Sequence, residues 1–129
     1  MNIIITGASS GIGFETALRF SNDEKNKVIA ISRDKEKLKL LAETSIKQNA
    51  KSHLIPLAYD ISPENNSENL YSLVKKEIDS VDILINNAGA MTDKKRTNPD
   101  NYDYSFVSNY LGGFLLTQLL LLLVISERM

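Results

Sequence analysis

Glycines at positions 7, 11 and 13 punctuate the run Thr6-Gly7-Ala8-Ser9-Ser10-Gly11-Ile12-Gly13. It follows an apolar β-branched stretch, Asn2–Thr6, and opens a helical pattern over residues 11–20. Each glycine has a physical reading in that setting. Gly7 can turn the chain sharply off a strand, because it lacks a Cβ. Gly11 lets the backbone approach a pyrophosphate, and Gly13 lets the helix pack closely on the sheet. Ser9, Ser10 and Ile12 complete the loop. The helix start would present free N–H groups and the positive end of its dipole to phosphate. The chemistry on offer is the holding of a phosphate-bearing nucleotide, against the plainer reading of a glycine-rich turn with no ligand. The spacing is G-x-x-x-G-x-G rather than the general G-x-G-x-x-G.

The elements that must position this loop alternate. Short apolar runs at 27–31, 53–59 and 81–85 read as further strands. Between them lie helical patterns at 34–48, with Leu38, Leu41 and Ala42 on the inner face, and at 66–78, with Leu70, Leu73, Val74 and Ile78. Residues 91–99 form a polar loop, and 100–127 a long fourth helix. Four β-α units in succession predict a parallel sheet with right-handed crossovers. Pro56 cannot donate to a β ladder, so the third strand belongs at a sheet edge. That suits an α/β, Rossmann-type, doubly wound sheet in the order 3-2-1-4. Residues 1–129 read as one dinucleotide-binding domain, incomplete on its C-terminal side.

Further motifs follow the loop in order. Asp60-Ile61 follows the third strand, Asn86-Asn87-Ala88-Gly89 follows the fourth, and Asn109 stands in Ser108-Asn109-Tyr110-Leu111-Gly112. Together with Thr6–Gly13 they resemble the T-G-x-x-x-G-x-G, acidic, N-N-A-G and tetrad-asparagine motifs of the classical short-chain dehydrogenases/reductases. The resemblance covers nearly the whole chain. The run from Asn109 through Phe114-Leu115-Leu116-Thr117 looks like the retinol-dehydrogenase-like and related reductase members. The family resemblance implies that Asp60 and the Ile61 backbone hold an adenine, that Asn86 and Asn87 tie the central strands together and flank the adenosine ribose, and that the small Ala88 and Gly89 let the backbone lie against the cofactor. Asp60 alone also fits an acid stabilised at a helix N-terminus. Asn87 also fits a structural turn.

Choice between dinucleotides belongs to the end of the second strand. An acid there bonds the ribose 2′-hydroxyl of NAD, and an arginine accommodates the 2′-phosphate of NADP. Here stand Ser32 and Arg33, whose guanidinium suits phosphate oxygens. Asp34 comes one place late and reads as a helix-start residue. The expected cofactor is NADP, with NAD the alternative, and with a solvated Arg33 as the plainer reading.

The resemblance also implies chemistry whose residues find no match here. The family moves hydride between nicotinamide and a carbonyl or alcohol, using a serine and a Tyr-x-x-x-Lys pair beyond the fourth helix. The chain closes at Glu127-Arg128-Met129, so it is expected to be inactive alone. Asn109 is then a relay position without its partners, and a structural role suits it better. Tyr71-Ser72-Leu73-Val74-Lys75 fits Y-x-x-x-K literally but precedes the N-N-A-G motif. Its bland reading is a packed Tyr71 with Lys75 snorkelling beside it.

Composition narrows the rest. A net charge of −1 offers no field for nucleic acid or an anionic membrane. With no cysteine and one histidine, His53, a metal site has no support. The absence of cysteine and of a signal-like N-terminus suits the cytoplasm. The apolar stretch 110–125 is broken by Gly112, Gly113, Thr117 and Gln118 and falls short of the about 20 residues of a bilayer span. A helix apolar nearly all round is buried on more than one side. An apolar fourth strand with one open edge invites pairing. Both features predict a homo-oligomer or a complementary C-terminal half. From another class, the chain reads as a non-catalytic nucleotide-binding or interaction module that docks a partner through the fourth helix.

Overall fold

Successive side chains of a strand point to opposite faces of its sheet, and β1 (Asn2–Thr6) uses both. Ile3 and Ile5 pack with Val28 and Ala30 of β2 (Lys27–Ser32) on one face. Ile4 packs with Ile29 and Ile31 on the other. All seven are fully buried, which accounts for their unbroken apolar runs. Ala17 and Leu18 of α1 (Gly11–Ser21) cover the first face with Leu38 and Leu41 of α2 (Lys35–Gln48). The opposite face is covered by Leu70 and Val74 of α3 (Ser67–Glu77), by Ile78 just past its end, and by Leu116, Leu120 and Leu123 of α5 (Gly112–Ile125). Leu73 is half-buried, as is Ala42.

This computed structural model describes residues 1–62, 67–89 and 95–125. The expected helix start at residue 66, part of the polar loop (residues 91–94) and the expected helix end at 127 lie outside them. The sheet is parallel throughout, in the order β3-β2-β1-β4, with β3 at His53–Ala58 and β4 at Ile83–Ile85. It is the Rossmann-type doubly wound order expected from the sequence. Pro56 stands opposite Ala30 on edge strand β3, where its missing N–H breaks no ladder. The exposed His53 opens that strand. Because β2 and β4 lie on opposite sides of β1, the chain reverses direction there, and a crevice opens beyond the strands' carboxyl ends.

Two expected boundaries move. The fourth strand begins at Ile83 rather than Val81. The Asn2 N–H donates to the Asp82 carboxylate (2.6 Å) instead of to a ladder carbonyl, while Val81 turns into the core. The fourth helix begins not near residue 100 but at α4 (Tyr104–Phe106). Asn101 sits in the left-handed region at φ 66°, and Asp103 caps the helix by accepting the Phe106 N–H at 3.1 Å. A π-helical turn, Val107–Leu111, then leads into α5 (Gly112–Ile125). No helix among the described residues is long and apolar enough to cross a membrane.

Candidate functional site

The glycine loop is built by close approach. At Gly7, φ is +67°, and a Cβ would lie 2.7 Å from Ala88 Cα, with no room to move. Gly13, buried in the first turn of α1, faces the Gly7 carbonyl and lies against the Asn87 amide, where a Cβ would be 2.5 Å from Nδ2. Gly11, at φ +57°, has nothing within 4 Å of its missing Cβ. Gly7 and Gly13 thus serve packing between the loop and the end of β4, and Gly11 serves backbone conformation alone.

Polar contacts fasten the same parts. Thr6 Oγ1 accepts the N–H groups of Asn87 (3.1 Å) and Ala88 (3.0 Å), and Asn87 Nδ2 donates to the Gly7 carbonyl (3.2 Å). Ser32 Oγ donates to Ser9 Oγ at 2.8 Å and ties the loop to β2. Asn86 points the other way, as strand alternation requires, and donates to Thr117 Oγ1 of α5 at 2.9 Å.

These contacts frame a cleft of about 310 Å³ over the carboxyl ends of all four strands. Thr6, Gly7, Ser9 and Ser10 form one wall, and Ile31, Ser32 and Arg33 line the end of β2. Tyr59, Asp60, Ile61 and Ser62 follow β3. Asn87, Ala88, Gly89 and Ser108 close the far side. Ser10 stands at the start of α1 without a side-chain cap bond, so the helix's first N–H groups are not taken by its hydroxyl. A loop with no room for a Cβ at Gly7 or Gly13, beside an uncapped helix start, fits the pyrophosphate of a dinucleotide.

Ten of the residues singled out from the sequence line this cleft: Gly7, Ser9, Ser10, Ser32, Arg33, Asp60, Ile61, Asn87, Ala88 and Gly89. Gly11, Ile12 and Gly13 do not, because they belong to the first turn of α1. Ile12 is 79% exposed on its outer side. Asn109 also lies outside the lining, in the π-helical turn. Its Oδ1 accepts from Ser108 Oγ at 3.1 Å and would sit 3.6 Å from a Cβ at Gly89. Thr6, Ile31, Tyr59, Ser62 and Ser108 line the cleft without having been singled out. Of these, Ser62 carried a readable signal. Asp60-Ile61-Ser62 closes as a local turn in which Asp60 Oδ1 accepts both the Ser62 N–H (3.0 Å) and its hydroxyl (2.8 Å).

The electrostatics at the end of β2 are one-sided. Asp34 turns away from the cleft and caps α2, accepting the Lys37 N–H at 3.0 Å with Lys37 Nζ 3.6 Å away. The Lys37 backbone bond is the main reason its carboxyl is held below the usual aspartate range. Arg33 remains as the cation lining the cleft there. The Tyr71–Lys75 pair stays on α3, with Tyr71 against the core and Lys75 Nζ 6.0 Å from its ring, away from the cleft lining.

The comparisons agree with this geometry. The short chain dehydrogenase family model matches residues 1–128. Human retinol dehydrogenase 13 is 36% identical over 119 residues, which cover 92% of this chain and 36% of that protein. A metagenomic short-chain oxidoreductase solved in complex with NADP superposes with a TM-score of 0.85 at 24% identity, over 99% of this chain and 58% of that one. A β-ketoacyl-[ACP] reductase from Bacteroides thetaiotaomicron gives a TM-score of 0.83 at 25% identity, over 98% and 56%. The chain therefore spans from about a third to somewhat over half of the length of these proteins. With the family model matching almost end to end, the chain belongs to the short chain dehydrogenase family.

Proposed function

We propose that these residues form the NADP(H)-binding portion of a short-chain oxidoreductase, the complete protein moving hydride between nicotinamide and a carbonyl or alcohol. One observation carries the reading. The cleft lies at the β1/β4 switch point, where neither Gly7 nor Gly13 has room for a Cβ. In this reading the loop at Gly7, Ser9, Ser10, Gly11, Ile12 and Gly13 holds the pyrophosphate against the start of α1. Asp60 and the Ile61 backbone take the adenine, and Asn87, Ala88 and Gly89 border the ribose. Ser32 and Arg33 receive the 2′-phosphate, since Asp34 is committed to α2. The bound nicotinamide supplies the hydride acceptor or donor. No Tyr-x-x-x-Lys pair follows Asn109 within these 129 residues, so this polypeptide by itself should bind the dinucleotide without turning over a substrate.

Titration with NADPH and NADH, followed by nicotinamide fluorescence, tests the reading. NADPH should bind tighter, and Arg33→Ala should weaken it by about tenfold while changing NADH little. Equal or tighter binding of NADH would remove the NADP preference, and no binding of either would remove the reading.

A second reading rests on a different observation. Phe106, Tyr110 and Phe114 form a stacked row along the helix, with centroids 5.4 and 6.3 Å apart, and stand 47%, 58% and 54% exposed. With β4 bonded on one side only among the described residues, this face suits self-association, a complementary C-terminal half, or a partner of a non-catalytic module. Sedimentation at tens of micromolar should show an oligomer, and a well-behaved monomer would count against this second reading. The cytoplasm, being reducing, is the setting proposed for the chain.

A further inference from the structure

Arg33, which lines the cleft, is held by a residue outside that lining. Its Nη1 donates to the Tyr104 hydroxyl at 3.3 Å, a contact between the end of β2 and the start of α4. The same tyrosine carries a second cation. The Arg96 guanidinium lies 5.3 Å from the Tyr104 ring centroid, and the Arg96 carbonyl accepts the Tyr104 N–H at 2.8 Å. Tyr104 itself is half-buried. One phenol thus gathers two guanidinium groups, one at its hydroxyl and one at its ring.

Three carboxylates have other partners: Asp60, which lines the cleft with Arg33, accepts from Ser62. Asp34 is paired with Lys37, and Asp103 accepts the Phe106 N–H as the cap of α4. Among the described residues, neither arginine forms an ion pair. Two like charges held near each other repel, and a doubly charged anion placed between them turns that cost into attraction.

We infer that Tyr104 is a positioning residue that aims Arg33, and that Arg96 supplies the second cation of a phosphate-monoester site at the adenosine end of the cleft. This rests on the NADP reading above. It adds that discrimination between the dinucleotides is shared by the segment leading into α4, about 60 residues beyond Arg33 and outside the usual β2-end position.

The probe is 2′,5′-ADP against 5′-AMP, which differ only in the 2′-phosphate and need no turnover. In calorimetric titrations, Tyr104→Phe keeps the ring and removes the hydroxyl. It should weaken 2′,5′-ADP by about three- to tenfold and leave 5′-AMP unchanged. Arg96→Ala should weaken the same ligand selectively and flatten its salt dependence, with Arg96→Lys restoring part of the loss. In an Arg33→Ala background, Tyr104→Phe should have little further effect, since it acts through Arg33. If Arg33→Ala lowers the preference but Tyr104→Phe and Arg96→Ala do not, the inference falls and the NADP reading stands. Equal weakening of both ligands by Tyr104→Phe would mark a merely structural tyrosine and also overturn it. If Arg33→Ala leaves the preference intact, the reading and the inference fall together.

Discussion

Thr6 Oγ1 accepts the backbone N–H of Ala88 at 3.0 Å, across a separation of 82 residues. The same oxygen takes the Asn87 N–H at 3.1 Å, but that group also reaches the Ile85 carbonyl at 3.1 Å. Thr6 is 1% exposed, so water cannot replace its hydroxyl. The bond fixes the end of β4 against the turn of the glycine loop, and so sets the shape of the cleft.

Thr6→Val should therefore leave the half-buried Ala88 N–H without its protein partner. An unsatisfied buried donor costs about 1–3 kcal/mol, so the denaturant midpoint should fall accordingly. Thr6→Ser keeps the acceptor and loses one methyl, for about 1 kcal/mol. Dinucleotide affinity should follow the same order, with Thr6→Ser near the parent and Thr6→Val well below it.

The loop glycines should separate by mechanism. Gly13→Ala forces a methyl onto the Gly7 carbonyl and the Asn87 amide, and backbone cannot yield cheaply. About 3 kcal/mol of stability and most nucleotide binding should be lost. Gly11→Ala meets no atom within 4 Å and strains only its φ of +57°, for about 1–2 kcal/mol. Thermal unfolding with and without NADPH distinguishes them, and equal losses would contradict the packing role given to Gly13.

Asp34 gives a pH dependence with a definite sign. Its carboxyl is held below the usual aspartate value, chiefly by the Lys37 N–H. A depressed acid contributes stability above its unfolded pKa and loses it as pH falls through the folded one. Asp34→Asn keeps the cap and removes the charge. The parent should unfold at a slightly higher temperature than Asp34→Asn at neutral pH, and the gap should close below about pH 4. Because the site is exposed, added salt should shrink the gap as well. Asp34→Ala loses the cap and should be the least stable at neutral pH.

Much of this was legible in the residues. The two buried faces of β1 and β2 read as continuous apolar runs, Pro56 marked the edge strand, and Asp34 declared itself a helix cap. Each of those signals is local. What was not legible depends on contacts between distant segments. Nothing in its spacing shows that Thr6 serves Asn87 and Ala88, or that Arg33 meets Tyr104 across 71 positions. The late helix start follows from the left-handed Asn101 and the Asp103 cap, which outweigh an apolar pattern. The π-helical turn at Val107–Leu111 has no periodicity of its own in a stretch this short.

Beside that turn, Gly112 and Gly113 are adjacent glycines with opposite constraints. A Cβ at Gly112 would lie 2.7 Å from the Ile61 carbonyl oxygen, on the backbone that lines the cleft after β3. A Cβ at Gly113 would first meet Asn86 Oδ1 at 3.5 Å, an ordinary contact. Both positions are helical, where alanine is favoured over glycine by about 1 kcal/mol. Gly113→Ala should therefore be neutral or slightly stabilising. Gly112→Ala must push α5 and the Ile61 backbone apart, costing about 1–3 kcal/mol despite the helical gain. It should also weaken 5′-ADP, because Ile61 borders the proposed adenine position, whereas Gly113→Ala should leave that affinity unchanged. Chemical denaturation and 5′-ADP titration of the two variants measure this directly, and similar behaviour would show that the approach of α5 to Ile61 does not shape the cleft.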